Sequence, residues 1–321
     1  MMTIVLGVLE EGLVYAIMAL GVYITYKILD FPDLSVDGTF PLGAAVTVRL
    51  MLAGFHPVFC MLAAVAAGML AGMVTGLIHV KFKVRDLLSG IIVMTALYSL
   101  NLRIAGRANV PIFSQETIFE NSLWERIIPA GLAPYLTAMI LLVLVLLVKV
   151  LLDVYLKTKS GYLLRAVGDN EVLVTSLAKD KGAVKILGLA LANGFAALSG
   201  SVYCQMNGFF EISTGTGTIV IGLANVIIGI NLFRRLTFVK ATMAVVIGSI
   251  VYKACVSLAI ALGMGASDLK LITAVLFLII LVVSSLGKTG RPGKTGMTGK
   301  SGANGEKRRG GKAGKEGAPH A

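Results

Sequence analysis

The sequence has few of the residues that build disulfide frameworks or metal centres. It contains three cysteines and three histidines in 321 residues. Cys60, Cys204 and Cys255 are scattered through apolar segments, so we expect small core residues rather than a framework. A disulfide between Cys60 and Cys204 is the less favoured alternative. The histidines have no paired spacing, which argues against a zinc motif, and no metal or cofactor is expected.

Sequence patterns for energy conversion are also missing. No GxxxxGK(S/T) phosphate-binding loop occurs before residue 287, so we do not expect this chain to hydrolyse ATP. No series of Asp, Glu and His runs through the apolar segments, although a proton- or sodium-driven carrier would commonly need one. A membrane enzyme would need a metal or nucleophile cluster, and none is visible. We therefore expect a chain that is not an enzyme and whose energy source lies elsewhere.

Long apolar stretches make up nearly everything before Gly287, since 56% of the residues are hydrophobic and only 14% are charged. A helical bilayer crossing needs about 20 apolar residues. The first stretch lacks a basic n-region and a cleavage site, which indicates a retained helix. The sequence thus predicts an all-α polytopic membrane protein with about nine spans, near residues 4–26, 39–54, 58–80, 87–104, 131–153, 183–204, 218–233, 241–263 and 269–286.

The basic residues between these spans predict the orientation. Fourteen lysines and arginines of the connecting segments fall on one side and four on the other. The positive-inside rule assigns the richer side to the cytoplasm. We therefore expect the N-terminus outside and the C-terminus inside.

Two segments resemble each other. Asp33-Leu34-Ser35, followed by Gly38-Thr39, is echoed by Glu211-Ile212-Ser213, followed by Gly217-Thr218. Each copy precedes a short or glycine-interrupted span, and the two copies fall on opposite sides of the membrane. This pattern favours an inverted repeat whose broken helices border the substrate path. Coincidence among common loop residues is the open alternative.

Polar residues inside the spans need partners or a cavity. We expect Glu10, Glu11 and Arg49 to lie near the outer interface or to pair with one another. The long stem of Lys253 can carry its charge to the interface. Interhelical hydrogen bonds explain the neutral amides of Asn101, Asn193 and Asn225.

The longest cytoplasmic segment predicts a short helix. Asp169 or Asn170 is a suitable N-cap, Glu171 suits the first turn, and apolar residues follow at helical spacing. Such a helix between two spans is a surface that another protein could push. An ordinary interfacial helix explains the pattern equally well.

Four stretches carry a family resemblance. RAVGDNEVLVTSLAKD (165–180) resembles the coupling-helix segment of permease subunits of ATP-binding-cassette importers, in the branched-chain amino acid and ribose type group. Residues 86–113 and 204–229 resemble the subgroup often associated with tryptophan or tyrosine uptake. FPDLSVDGTFPLGAAV (31–46) is similar to the DLS-containing broken second helix of that family. The likeness covers about residues 8–285.

The resemblance implies a permease subunit in the bacterial plasma membrane. It would form the path of a small solute, with an amino acid expected, and would pair with a second permease subunit. A cytoplasmic ABC ATPase would drive it and an extracytoplasmic binding lipoprotein would deliver the solute. A secondary transporter driven by an ion gradient is the alternative. Docking of the ATPase would involve Arg165, Gly168, Asp169, Asn170, Glu171 and Leu177. The pathway candidates are Asp33, Ser35, Asp37, Asn101, Ser213 and Asn225.

The C-terminal segment differs in composition from the rest. We predict a membrane domain over residues 1–286 and a basic, glycine-rich tail over 287–321, where glycine recurs at nearly every third position. Prolines are too few to favour a collagen triple helix. We expect a disordered cytoplasmic arm attracted to anionic lipid or nucleic acid.

Overall fold

The protein is an assembly of apolar helices. The computed structural model describes residues 2–121, 133–170, 174, 180–234, 239–263 and 268–286. A π-helical segment, Tyr23–Ile28, continues the first helix. The α-helices of this part are α1 (Met2–Val22), α2 (Val36–Leu52), α3 (Pro57–Lys81), α4 (Asp86–Ala105), α5 (Leu136–Tyr155), α6 (Lys159–Asp169), α7 (Lys181–Asn207), α8 (Thr218–Leu232), α9 (Ala241–Ala261) and α10 (Leu269–Leu286).

Seven helical segments in the described residues are long and apolar enough to cross a bilayer. They comprise α1 with its π-helical extension, α3, α4, α5, α7, α9, and α8 together with the 3-10 turn Ile212–Gly215 that precedes it. The predicted all-α polytopic class is therefore confirmed. Helix α2 has 17 residues and the apolar part of α10 is also short, so the count of nine spans stays a prediction. The predicted tail, 287–321, lies outside the described residues.

Helix α7 lies at the centre and packs against α1, α2 and α3. Its contact with α3 is close because α3 carries glycines at four-residue spacing, the small-residue arrangement that lets membrane helices approach. A Cβ atom added at Gly72 would lie 2.3 Å from the Leu189 carbonyl oxygen of α7, and one at Gly68 would lie 2.5 Å from the Asn193 carbonyl oxygen. No other residue type fits there without a shift of the backbone.

The helices of the second half pack on α1 and on one another. Helix α3 packs on α7, whereas α9 packs on α1; α2 lies beside α3 and α4, whereas α8 lies beside α9 and α10. Small residues mediate both sets of contacts. A Cβ atom at Gly229 of α8 would lie 2.3 Å from the Ala244 carbonyl oxygen of α9. The Ser199 and Ser249 hydroxyls each donate to a carbonyl oxygen of α1, at 2.7 and 2.9 Å.

Helix α2 begins partway along α7 rather than at its end. Thr39 of α2 contacts Asn193, Gly43 contacts Ala197 and Thr47 contacts Ser201, so the two helices run in the same direction. Because a helix rises about 1.5 Å per residue, α2 is about 26 Å long. It therefore lies alongside only the second part of the 27-residue α7.

A short two-stranded antiparallel sheet lies at the C-terminal ends of α4 and α7. β1 (Asn109–Pro111), which follows α4, pairs antiparallel with β2 (Phe209–Glu211), which follows α7, with Val110 opposite Phe210. This pairing holds the segment that leads from α7 into α8. Cys60 and Cys204 are buried nearby as free thiols. They are core residues, as expected, and the disulfide alternative is wrong. Cys255 is exposed, so the same expectation is wrong for it.

Candidate functional site

Helices α2 and α8 meet at their N-termini, and Asp37 joins them. The Asp37 carboxylate accepts hydrogen bonds from the Gly217 N–H (2.9 Å), the Ile219 N–H (2.7 Å) and the Thr218 hydroxyl (2.9 Å). The first N–H groups of a helix have no partner within the helix and carry a partial positive charge. A carboxylate from the first turn of α2 thus caps α8, and the two helices run in opposite directions from this junction.

Pro41 modifies the first turns of α2. It lies inside the helix and has no N–H group, so the Asp37 carbonyl oxygen loses its i→i+4 donor. The backbone of the turn before α8 approaches this carbonyl closely, because a Cβ atom at Gly215 would lie 2.3 Å from it. The junction therefore combines a capped helix with a backbone acceptor that its own helix leaves unpaired.

A cavity of about 280 Å³ lies against this junction. Its wall includes Asn101 of α4, whose Nδ2 donates to the Gly38 carbonyl oxygen at 3.0 Å. The Asn101 Oδ1 is buried and has no hydrogen-bond partner within the described residues. Thr95 and Tyr98 of α4 are exposed, so the cavity lies beside the accessible face of that helix. The lining residues are Asp37, Gly38, Pro41, Met94, Thr95, Tyr98, Asn101, Ile212 and Thr216.

A second polar network lies before α2 and away from the cavity wall. Asp33 accepts from the Ser35 N–H (2.9 Å), the Ser35 hydroxyl (2.6 Å) and the Asn193 Nδ2 (2.7 Å). The Asn193 Oδ1 in turn accepts from the Ser35 and Thr39 hydroxyls. All four side chains are fully buried. Because the Asp33 carboxylate is held by three donors, this network attaches the start of α2 to the middle of α7.

The predicted pathway residues therefore separate into groups. Asp37 and Asn101 share the cavity wall, whereas Asp33 and Ser35 belong to the buried network. Ser213 is exposed in the turn before α8, where its hydroxyl donates to the Glu211 carboxylate.

The predicted asparagine bonds are only partly found. Interhelical hydrogen bonds are confirmed for Asn101 and Asn193. Asn225 is fully buried in α8, outside the cavity wall, and neither polar atom of its side chain has a partner in the described part of the chain. The expectation for Asn225 is wrong.

An intramembrane ion pair was missed by the sequence analysis. The Lys253 Nζ lies 2.8 Å from the Glu11 carboxylate and 4.2 Å from the centre of the Tyr15 ring. The Tyr15 ring stacks on Phe40 at 5.9 Å. Glu11 therefore pairs with Lys253 rather than with Arg49, because α1 and α9 pack together. That these charges lie near the outer interface stays a prediction. No spacing signal connects residues that are 242 positions apart.

The candidate docking segment contains a helix that was not predicted. Thr158 caps α6, which ends at Asp169. An N-cap at Asp169 is therefore wrong, although the Asn170 carbonyl oxygen accepts from the Val174 N–H at 3.4 Å. Arg165, Asp169 and Asn170 are exposed. The other two candidates, Glu171 and Leu177, lie outside the described residues.

The buried face of α6 rests on the end of the first helix. A Cβ atom at Gly168 would lie 1.7 Å from the Ile28 carbonyl oxygen, so only glycine allows this approach. Leu164 and Val167 are buried on the same side. A displacement of α6 would therefore act directly on the π-helical end of α1 and on the linker into α2.

A family model and a relative with a functional name both indicate a transport permease. The family model described as "Branched-chain amino acid transport system / permease component" matches residues 4–284. The chain is 46% identical over 274 residues to the "Tyrosine transport system permease protein" of Clostridioides difficile (strain R20291), covering 85% of this chain and 89% of that protein. It is 34% identical over 283 residues to "Uncharacterized protein RP368" of Rickettsia prowazekii (strain Madrid E), covering 87% and 96%. No solved structure matches.

Proposed function

Because this chain belongs to the family of branched-chain amino acid transport permease components, we propose that it forms the solute path of an ATP-binding-cassette amino acid importer. It is a transport subunit and a multi-pass protein of the bacterial inner membrane. The observation that supports this role most directly is the junction at Asp37. Two short helices meet there beside a cavity, which is the arrangement that transporters use for binding sites within the membrane.

We propose an aromatic amino acid as the solute. The relative with 46% identity carries tyrosine transport in its name. The cavity suits a small molecule with an apolar part, because Met94, Tyr98 and Ile212 line it. Its volume is near the lower end of the roughly 300–1,000 Å³ of small-molecule sites.

The proposed topology is an inverted repeat of nine spans with the N-terminus outside. The exchanged packing of α1 and α7, of α2 and α8, and of α3 and α9 supports the repeat. Both copies of the echoed motif also form the same hydrogen bond. Ser35 donates to Asp33, and Ser213 donates to Glu211. In this topology residues 1–286 are the membrane domain and 287–321 a cytoplasmic tail that contacts anionic lipid.

We propose that a separate ATPase on the cytoplasmic side supplies the energy for transport. It would contact the exposed side chains of α6 and the residues that follow, with Arg165, Asp169, Asn170, Glu171 and Leu177 as the candidates. Gly168 would transmit the movement, because its backbone lies so close to the Ile28 carbonyl oxygen that α6 cannot move toward Ile28 without displacing it. The linker from Ile28 leads into the Asp33 network and the first turn of α2, so the route ends at the Asp37 junction.

The remaining proposed partners are a second permease subunit and a binding lipoprotein. The cavity lies beside the exposed face of α4, where Leu88, Ile92, Tyr98 and Leu100 are about half exposed. A second copy on this face would enclose the path between two subunits. The lipoprotein would deliver the solute at the end formed by β1 and β2. In this scheme the other predicted pathway residues, Asp33, Ser35, Ser213 and Asn225, support the helices that border the path.

The test is uptake by proteoliposomes that contain this chain with its ATPase and binding protein. We expect accumulation of labelled tyrosine that needs ATP on the ATPase side and that persists when ionophores collapse ion gradients. The matched control contains an ATPase that binds but does not hydrolyse ATP. Accumulation by this chain alone, abolished by an ionophore, would contradict the proposal.

A further inference from the structure

The cavity wall contains a buried hydrogen-bond acceptor that lacks a donor. Nine described residues form it, and none of them is basic. The Asn101 Oδ1 is unpaired, and its orientation is set because Nδ2 donates to the Gly38 carbonyl oxygen. A buried acceptor without a donor costs about 1–3 kcal/mol. Unlike the unpaired Asn225, Asn101 belongs to the cavity wall, where a molecule that donates could supply the missing bond.

Asp37 adds negative charge to the same wall. An ionised carboxylate has about four lone-pair sites, and the first turn of α8 occupies three of them. Two of these bonds fall on Oδ1, so the unused capacity is on Oδ2, which accepts only from the Gly217 N–H. The Asp37 carbonyl oxygen, freed by Pro41, is a further acceptor.

We propose that Asn101 Oδ1 and Asp37 Oδ2 bind the α-ammonium group of the transported amino acid. An ammonium group has three donors, no acceptor and a positive charge, which matches a wall with one unpaired acceptor, one carboxylate and no basic residue. The side chain of the amino acid then lies against Met94, Tyr98 and Ile212. This inference rests on the proposed function and assigns recognition of the ammonium group to these two residues.

Uptake kinetics test the role of Asn101. Asn101→Leu removes the acceptor and should lower kcat/KM for tyrosine uptake by about tenfold or more, the effect of losing one hydrogen bond to a charged group. Asn101→Asp keeps an oxygen acceptor but loses the Nδ2 donor to the Gly38 carbonyl oxygen, so it should retain more uptake than Asn101→Leu. Asn207→Leu is the matched control. The Asn207 Nδ2 also donates to a backbone carbonyl oxygen, that of Tyr203, but Asn207 lies outside the cavity wall.

Thiol protection tests the ligand group without requiring transport. In a Cys255→Ser background the other two cysteines are buried, so Thr95→Cys places one accessible thiol at the cavity. Tyrosine and tyramine, which carry the ammonium group, should slow labelling of this thiol. The deaminated analogue 3-(4-hydroxyphenyl)propionate should not. This measurement stands even if Asn101→Leu proves unstable.

The outcomes separate the inference from the proposed function. If wild-type uptake needs ATP but Asn101→Leu matches Asn207→Leu, the inference is wrong and the function stands. Equal protection by the deaminated analogue would also overturn it. If ATP-dependent uptake fails altogether, the proposed function is wrong, and protection by tyrosine and tyramine alone would still support an ammonium site.

Discussion

Removing the carboxylate of Asp37 should destabilise the protein more than removing a carboxylate whose hydrogen bond is exposed, such as that of Asp86. Asp37→Ala leaves the first turn of α8 without its cap, where Ile219 is buried and Gly217 is half-buried. The two backbone N–H groups of Gly217 and Ile219 lose their acceptor. Asp86→Ala is the matched control, since Asp86 accepts one exposed hydrogen bond, from the Leu87 N–H at 3.0 Å.

The expected magnitude follows from the donors that lose a partner. An unpaired buried N–H costs about 1–3 kcal/mol, and two of them give roughly 2–6 kcal/mol. The Thr218 hydroxyl adds little, because it also donates to the Gly215 carbonyl oxygen at 3.1 Å. We therefore expect a loss of about 3–4 kcal/mol for Asp37→Ala. For Asp86→Ala we expect a loss of about 0.3–1 kcal/mol, as for an acidic residue in the first turn of a helix.

SDS unfolding measures both losses of stability. The purified chain in mixed micelles is titrated with SDS, and the circular dichroism signal of the helices is followed. Asp37→Asn is an intermediate case, since it keeps one oxygen but presents an NH₂ group to the same donors. The reasoning is refuted if Asp37→Ala and Asp86→Ala lose equal stability. It is also refuted if Asp37→Asn is less stable than Asp37→Ala.

Further predictions concern the contact of α6 and the ion pair. Gly168→Val should displace α6 from Ile28 and lower solute-stimulated ATP hydrolysis at least about fivefold, which is the lower end of usual coupling energies. Gly7→Val is the control, because nothing lies within 4 Å of a Cβ atom added there. It should leave the rate of ATP hydrolysis unchanged. Glu11→Gln should lower the free energy of unfolding by about 2–3 kcal/mol, because it leaves the charge of Lys253 without a partner while its side chain is only 13% exposed. Lys253→Met should cost less than about 1 kcal/mol, since Glu11 is half exposed, and the double variant should match Lys253→Met in SDS unfolding. Equal losses for the two single variants would contradict this order.

Composition and local pattern determined the class of this protein and the helical character of its segments. Apolar runs near the length of a bilayer crossing require helices, because backbone groups in lipid must pair within their own segment. The broken character of α2 and α8 was also visible, in the short span after Asp33 and in the glycines of residues 211–224. Asn101 was visible as a polar residue inside a predicted span, whereas Asp37 was a pathway candidate through the family resemblance.

Only the tertiary structure decided which of these polar residues share a site. Asp37 caps a helix that starts 181 positions later, and Lys253 finds Glu11 across two packed helices. No local pattern predicts such pairs, since they depend on where α1, α2, α8 and α9 meet. The same holds for Gly168, whose need for glycine comes from the Ile28 carbonyl and not from its neighbours in sequence. Hydropathy acts on each segment alone, whereas hydrogen bonds and close contacts depend on distances that only packing sets.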